Sequence, residues 1–383
     1  MLPKPAKNTW IAIAWFAMGM AAVIIQLLKG NGSINNYLIY EGVFHHSVAK
    51  LDLFSTYPTE YFDANHYGPV FALIIAPFAL LPVQIGAFLW GAANVWLLYF
   101  AVKRLPIPPH EQNLVLLICA VELMTAMHNM QFNPMLTAFI ILGYTFVYKG
   151  QDIWGTLFIA LGILTKLYGI VGLAFFFFSA DKPKFILYTI MWMAVFLVAP
   201  VILSSADYVM EQYRSWYNSL VVKNSENTGS TMQDMSALRI LRTLLGIAGH
   251  NIIVLGFAAI MYIVTLLRFH QWQSQLYQLN YLAFLLIGIV IFSSSAESPT
   301  YIIAMCGVAI WYVIQLPRNY FSLIVVMFAF ILTSLSTTDV FPAGIKINVI
   351  RPYGLKALPC LMVWVILCFQ LLTREFRKPL TAS

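Results

Sequence analysis

The sequence predicts an all-α, polytopic membrane protein of the integral-membrane type, and two features of its composition support that class. Of its 383 residues, 61% are hydrophobic and only 10% are charged, and the mean hydropathy is +0.79. A soluble domain is about 25% charged. This chain therefore has too few charges to cover a water-facing surface, which excludes an ordinary soluble protein.

Apolar segments recur along the whole chain, and a helix needs about 20 apolar residues to cross a bilayer. The first segment lacks a small-residue cleavage site, so it predicts a retained helix and not a signal peptide. The two segments on either side of Lys166 are the shortest. We predict about twelve transmembrane helices, at 10–29, 84–102, 112–128, 133–148, 153–165, 168–180, 185–204, 251–269, 277–294, 299–315, 319–335 and 353–373.

Segment 68–82 is also apolar, but we predict that it does not cross the membrane. It is brief and contains three prolines. Basic residues in short loops mark the cytoplasmic side, and Lys103 reaches that side only if an odd number of spans separates it from the first outer loop, 30–66. We therefore expect a re-entrant or interfacial helix at 68–82, with both chain termini in the cytoplasm.

This orientation places the main polar clusters on the outer side of the membrane. Irregular polar backbone at membrane depth is tolerated only where it lines a protein cavity, so the clusters predict one outward-facing cavity. We expect a single transmembrane domain over 1–383, with interfacial helices in an outer loop at 30–83 and an amphipathic helix in a second outer loop at 205–250. The clusters are 30–67, 128–134, Lys166 with Tyr168, 205–250, 293–299 and 334–352.

The first outer loop holds the densest group of titratable residues, and part of it reads YPTEYFDANHYGP. Asp63 and His66 are three residues apart, so a helical turn would place them on one face. A carboxylate beside an imidazole can act as a general base or hold the imidazole in one tautomer. The alternative is an aromatic belt with a few solvated charges.

Amides and a lysine interrupt the apolar runs further along the chain. Gln131 and Asn133 offer donors and acceptors suited to hydroxyl recognition, although Asn-Pro is also a turn signal. Lys166 lies within ILTKLYGI, and an ionisable residue in such a setting is a functional-site hypothesis. It can pair with a phosphate, or it can extend its ammonium to the interface.

The later outer segments carry further basic residues. Ser236 can cap an amphipathic helix on which Arg239 and Arg242 share a face. That face suits phosphate or lipid head groups, or it is a solvated surface. Arg351, just before the last span, is another residue that can line the cavity.

Several other classes of site are not predicted. The four cysteines lie in apolar runs without metal-ligand spacing, so we expect neither disulfides nor a metal site. The net charge of +7 is not gathered into a basic stripe with interleaved aromatics, so we do not expect a nucleic-acid partner. Nucleotide-binding and serine-hydrolase motifs are also missing from the sequence.

Five short motifs, in order along the chain, resemble those of known membrane enzymes. They are Asn36-Tyr37-Leu38-Ile39-Tyr40, Tyr67-Gly68-Pro69, Met130-Gln131-Phe132-Asn133, Lys166-Leu167-Tyr168-Gly169 and Ser298-Pro299. The arrangement resembles the GT-C superfamily of integral-membrane glycosyltransferases. More narrowly, it is similar to glycosyltransferase family 87, which includes polyprenyl-phosphate-mannose-dependent mannosyltransferases.

The resemblance implies an inverting transfer of a hexose (mannose-like) or a pentose from a polyprenyl-phosphate donor to a glycan or glycolipid acceptor. The reaction would take place on the outer, periplasmic face of the plasma (inner) membrane, among membrane lipids, without a cofactor or metal. The implied substrate-binding residues are Asn36, Tyr40, Glu60, Tyr67, Gln131, Asn133, Lys166, Tyr168, Arg239, Ser298 and Arg351, of which Lys166, Arg239 and Arg351 would bind the phosphate.

One position departs from the family pattern. Asn36 stands where the family has the acidic residue expected to be the general base. Asp63 is our first candidate for that role, Glu41 is the second, and His66 would assist. A transporter or flippase of lipid-linked sugars would use the same cavity without a base, and a catalytically inactive scaffold is the other alternative.

Overall fold

The computed structural model describes residues 7–227, 234–246, 251–315 and 317–376. Every regular element in these ranges is a helix, and the described ranges contain no strand. The chain divides into two compact units. Unit 1 comprises Met1–Ile11, Pro106–Glu122 and Asn224–Ser383, and unit 2 comprises Ala12–Leu105 and Leu123–Lys223.

Unit 2 is organised around one central helix. Fourteen of the 16 residues of α6 are buried, as expected of a helix that is apolar on all sides, and α4 and α7 pack against it. The helices that lie wholly or partly in unit 2 are α1 (Lys7–Lys29), α2 (Asn35–Ala49), α3 (Phe71–Ala79), α4 (Val83–Arg104), α5 (Pro109–His128), α6 (Asn133–Tyr148), α7 (Asp152–Thr165), α8 (Lys182–Val198) and α9 (Ala206–Asn227), with 3₁₀ turns at Leu167–Phe177 and Ala199–Leu203.

Unit 1 also has a fully buried helix. All 13 residues of α13 are buried, and α12 makes the most extensive contact with it. The remaining helices of unit 1 are α10 (Ala237–Leu245), α11 (Asn251–Leu266), α12 (Gln275–Ile291), α13 (Tyr301–Val313), α14 (Tyr320–Ala329), α15 (Ala343–Ile345) and α16 (Leu358–Thr373), with π-helical turns at Phe330–Leu335 and Lys346–Ile350.

The predicted all-α, polytopic membrane class is confirmed. Four helical segments are long and apolar enough to cross a bilayer: Thr9–Lys29, Val83–Arg104, Lys182–Leu203 and Leu355–Thr373. The predicted span 112–128 lies within the 20-residue helix α5, span 168–180 coincides with the 3₁₀ segment Leu167–Phe177, and the other predicted spans coincide with shorter helices. Almost no residue of the third segment is buried, and its exposed side chains include Ile186, Leu187 and Ile190, which suits contact with lipid.

Segment 68–82 forms only the nine-residue helix α3, which contains Pro77. At 1.5 Å per residue this helix is about 14 Å long, roughly half the thickness of a bilayer core. Its length therefore supports the prediction that the segment does not cross.

The second outer loop differs from its prediction in one respect. The stretch that begins at Val221 is rich in Asn, Ser, Thr and Gly, a composition that predicts a flexible loop, but α9 continues as a helix to Asn227. The described part of the loop then contains α10, whose first turn is capped by Ser236, since its hydroxyl accepts a hydrogen bond from the Arg239 amide at 3.3 Å. That predicted cap is confirmed.

Candidate functional site

Six of the predicted residues converge in unit 2, around Lys166. Helix α7 ends at Thr165, and the extended backbone of Lys166 (φ −147°, ψ 122°) turns its side chain away from the helix axis. The Lys166 ammonium donates a hydrogen bond of 2.9 Å to Asn133 Oδ1, at the start of α6. Two segments that are 33 residues apart in sequence are joined in this way.

Tyrosine hydroxyls extend this network through Gln131. The hydroxyls of Tyr40 and Tyr67 are 3.1 Å apart, and they donate to Gln131 Oε1 at 3.5 and 3.4 Å. The Asn133 amide approaches the same oxygen at 3.5 Å. The result is a continuous row of buried hydroxyl and amide groups that leads to a lysine. Such groups can hydrogen-bond a polar ligand that has an anionic group.

Aromatic rings flank the ammonium of Lys166. Its Nζ lies 4.9 Å from the centroid of the Tyr168 ring and 5.7 Å from that of Tyr67. Both distances are within the range of cation–π attraction. Lys166 is partly exposed, so its charge is positioned by the protein and remains accessible.

The residue before Gln131 takes a conformation that usually requires glycine. Met130 has φ +49°, in the left-handed region that glycine adopts most easily. The turn is held by a hydrogen bond from the Trp90 indole to the Met130 carbonyl at 3.2 Å.

The first outer loop is fixed to the end of α7 at Gly68. The Gly68 amide donates a hydrogen bond to the Thr165 carbonyl at 3.1 Å. A Cβ at Gly68 would lie 2.1 Å from the Leu164 carbonyl oxygen, so no larger residue fits this approach. The end of the loop that carries Asp63 is therefore attached, through Gly68, to Thr165, the residue before Lys166.

Asp63 lies in an irregular part of this loop. Its φ of +74° is tolerated because a short carboxylate can bond its own backbone, and Asp63 Oδ1 accepts from the Ala64 amide at 2.8 Å. The side chain is 56% exposed, and Oδ2 lies 3.9 Å from Lys223 Nζ. The prediction that Asp63 and His66 share a helical face is wrong, because residues 61–68 form no helix.

His66 is largely buried, and its surroundings oppose protonation. Burial, followed by the charge of Lys223 and to a lesser degree that of Lys166, lowers the pKa of His66 to about 4, although Asp63 acts in the opposite direction. Its Nδ1 lies 3.1 Å from the Ser219 hydroxyl. His66 is therefore neutral at physiological pH and too weakly basic to be the main proton acceptor.

One face of α9 forms hydrogen bonds with the acidic loop, residues 50–67, which contains Asp52, Glu60 and Asp63. This contact was not predicted from the sequence. The Tyr208 hydroxyl donates to the Leu51 carbonyl at 2.6 Å, and Gln212 Oε1 accepts from the Leu53 amide at 2.9 Å. The Trp216 indole donates to the His66 carbonyl at 3.0 Å. The signal was present in the sequence, because residues 208, 212, 216, 219 and 223 follow a helical spacing.

The other carboxylates of the loop have different environments. Glu60 Oε2 is 3.0 Å from Nε2 of His46, which is buried. Glu41 lies on α2, where burial raises its pKa. The Asn36 amide donates to the Asn129 carbonyl at 2.7 Å, so the residue at the expected acidic position makes a structural contact.

Unit 1 contains the three remaining predicted residues. The Ser298 hydroxyl accepts a hydrogen bond from Lys356 at 2.9 Å. Arg239 donates from Nε to the Pro352 carbonyl at 2.8 Å, and burial lowers its pKa. Arg351 begins a turn in which its carbonyl accepts from the Gly354 amide at 3.2 Å.

Ser298 contacts a buried ion pair that was not predicted from the sequence. Lys356 and Glu122 are both fully buried, with 2.9 Å between Nζ and Oε1, and the Lys356 ammonium also donates to Thr337 at 3.3 Å. Glu122 within an apolar span was the available signal, because such a charge needs a partner. The hydroxyl of Ser298 is therefore engaged by this pair.

A cavity of about 330 Å³ also lies in unit 1, and none of the predicted residues lines it. Its walls are Trp311, Gln315, Pro317, Asn319, Phe321, Ser322, Gln370 and Arg374. Across the described ranges, no group of three or more His, Cys, Asp or Glu side chains is arranged to hold a metal ion.

These observations define a class: a polytopic helical membrane protein with a lysine, amides, tyrosines and a carboxylate gathered beside its first outer loop. The sequence profile of glycosyltransferase family 87 matches residues 65–299, more than half of the 383 residues. The chain belongs to glycosyltransferase family 87, in agreement with the resemblance of its motifs. The matched region includes His66, Gln131, Asn133 and Lys166.

A comparison with curated proteins returned no match. Among solved structures, the chain is similar to the crystal structure of ArnT from Cupriavidus metallidurans bound to undecaprenyl phosphate. The two share 14% sequence identity with a TM-score of 0.40, over 96% of this chain and 78% of ArnT.

Proposed function

We propose that the protein transfers a mannose-like hexose or a pentose from a polyprenyl-phosphate donor to a hydroxyl of a glycan or glycolipid acceptor, with inversion at the anomeric carbon. Membership of family 87 supports the transferase class. The observation that carries the proposal is the placement of Lys166. Its ammonium lies within the amide and tyrosine network, and the acidic loop is hydrogen-bonded to the residue before it.

Lys166 would bind the donor phosphate and stabilise it as the leaving group. Negative charge grows on the phosphate oxygen as the bond to the anomeric carbon breaks, and a cation fixed in advance stabilises that charge. Gln131, with the hydroxyls of Tyr40 and Tyr67, would hydrogen-bond the hydroxyls of the sugar. The exposed apolar helices, such as Lys182–Leu203, are suited to a lipid phase from which a polyprenyl chain can enter.

Asp63 is the proposed general base. The acceptor oxygen forms a bond to the anomeric carbon, its proton passes to the Asp63 carboxylate, and the polyprenyl phosphate leaves with the electron pair of the broken C–O bond. Its exposure of 56% leaves Asp63 open to an acceptor, whereas Glu60 is bound to His46 and Glu41 is partly buried on α2. We place this reaction on the outer face of the plasma membrane.

The test is a transfer assay with purified protein in lipid nanodiscs, radiolabelled polyprenyl-phosphate mannose and a panel of glycan acceptors. We expect labelled acceptor and released polyprenyl phosphate. Asp63→Asn should lower transfer about 100- to 10,000-fold, the range of general-base catalysis, while Glu226→Gln, a carboxylate change further along α9, should not.

Three outcomes would contradict parts of the proposal. Transfer that survives Asp63→Asn would remove the base assignment and direct attention to Glu41. Sugar movement across sealed liposomes without transfer would identify a transporter. A protein that binds the donor and catalyses neither process would be a scaffold.

A further inference from the structure

Lys223 is a second cation near the acidic loop, and its position is set by a helix. It lies on the face of α9 that holds the loop, and its side chain is only 12% exposed. Trp216 and Ser219, on the same face, bond the carbonyl and the ring of His66. The Lys223 ammonium is therefore directed at the loop by the packing of the helix.

Positive groups predominate among the described charges that act on His66. Lys223, Lys166 and Asp63 all act electrostatically on this imidazole, which is itself neutral. Two of these three groups are cations, and such a setting favours an anionic ligand, for example a phosphate.

The contact between Lys223 and Asp63 is a loose one. The separation of 3.9 Å exceeds the 2.7–3.2 Å range, about the length of a normal N–H···O hydrogen bond, and the Asp63 carboxylate is more than half exposed. An ion pair at this distance, with one partner more than half exposed, contributes little stability. Lys223 can therefore exchange Asp63 at small cost for a stronger partner. The polyprenyl phosphate that leaves the sugar is a phosphate monoester, which carries more charge than a carboxylate and has three acceptor oxygens.

We propose that Lys223 is a second phosphate ligand that changes partner during the reaction, from Asp63 to the polyprenyl phosphate as it leaves the sugar. The exchange breaks no covalent bond. It adds a cation to the leaving group, and it releases the Asp63 carboxylate from its ion pair. This inference rests on the proposed function, since it concerns the same donor and the same base.

The proposed exchange predicts that substitutions at Lys223 and at Asp63 change the affinity for the phosphate lipid in opposite directions. The probe is undecaprenyl phosphate, titrated into detergent-solubilised protein and measured by native mass spectrometry. Lys223→Met should weaken binding about tenfold, the loss of one charge-assisted contact, and Lys223→Arg should restore most of it. Asp63→Asn should tighten binding about threefold, because Lys223 no longer has a competing partner.

Two controls separate phosphate recognition from general damage. Lys149→Met removes an exposed charge at the far end of α6 and should leave binding unchanged. Undecaprenol, which lacks the phosphate, should bind the Lys223→Met variant as it binds the unmodified protein. Thermal unfolding of each variant checks that α9 remains folded.

Unchanged binding of the phosphate lipid to Lys223→Met, or weaker binding to Asp63→Asn, would overturn the exchange while leaving the proposed function intact. If the unmodified protein binds undecaprenyl phosphate no better than undecaprenol, the proposed function itself fails, and this inference fails with it.

Discussion

Lys166 and Lys356 are two lysines in apolar surroundings, and their environments differ sharply. Lys356, in unit 1, is fully buried and donates to Glu122, Ser298 and Thr337. An ammonium has three N–H donors, so this side chain is saturated. Lys166, in unit 2, is partly exposed and lies between an amide and two tyrosine rings.

The difference teaches that a charged residue in a membrane span is a functional candidate only after its partners are known. A buried lysine that pairs with a carboxylate and two hydroxyls holds segments of the chain together. A partly exposed lysine that is positioned beside an amide and two tyrosine rings can bind an anion. The predictions below test this distinction.

The largest effect is expected from removal of the buried cation in unit 1. Lys356→Met would leave the Glu122 carboxylate buried without its partner, at a cost of about 3–5 kcal/mol in the free energy of unfolding. The double variant Glu122→Gln with Lys356→Met should recover part of this loss, because no charge is then left unpaired. Denaturant unfolding in detergent measures both, and equal stability of the single variant and the unmodified protein would show that the pair contributes nothing.

Removal of the cation in unit 2 should affect the reaction and not the fold. Lys166→Met should lower transfer about 100- to 1,000-fold, as loss of a group that stabilises developing charge does, with a change in stability of less than about 1 kcal/mol. Turnover with the labelled donor and thermal unfolding together decide this. A large loss of stability with normal turnover of the folded fraction would assign Lys166 the structural role of Lys356.

A substitution at Gly68 tests whether the loop must approach α7 so closely. Gly68→Ala places a Cβ against the Leu164 carbonyl oxygen, so we expect a loss of about 1–3 kcal/mol in stability, typical of an overpacked site. Transfer should fall as well, because the loop that carries Asp63 shifts relative to Lys166. Gly256→Ala, on α11 with open space around it, is the matched control, and an equal effect of both changes would contradict the prediction.

The smallest effect is expected on the pKa of His66 itself, and it distinguishes the two lysines. Because the folded-state pKa of about 4 lies below the unfolded value of about 6.5, the contribution of His66 to stability is complete above pH 6.5. It falls as the pH is lowered from there through 4, by about 3 kcal/mol in total. Proton NMR of the imidazole should show that Lys166→Met raises the His66 pKa and Lys356→Met leaves it unchanged.

Much of the fold could be predicted because a helix that crosses the membrane must be apolar over about 20 residues. Apolar length located helices at the predicted segments, four of which are long and apolar enough to cross a bilayer, and the proline-rich segment 68–82 forms only a nine-residue helix. The Ser236 cap also followed from local chemistry. These features depend on residues that are close in sequence, where helix length and hydrogen bonding are determined locally.

The candidate site could be predicted only in part. The motifs identified Tyr40, Tyr67, Gln131, Asn133, Lys166 and Tyr168, which the structure brings together in unit 2. The contacts of α9 were missed because its polar composition resembles a loop, and its helical face becomes meaningful only when a partner lies against it. The role of Ser298 was likewise hidden, because its partner Lys356 is 58 residues away.

The sequence by itself determined the class of the protein, the approximate position of its helices and its membership of a glycosyltransferase family, because hydrophobicity and short motifs are properties of neighbouring residues. Only the tertiary structure decided which charges are neutralised and which are exposed. That decision depends on distances between residues far apart in the chain. The 2.9 Å contact of Glu122 with Lys356 and the 3.9 Å contact of Asp63 with Lys223 are set by helix packing, and no local pattern encodes them.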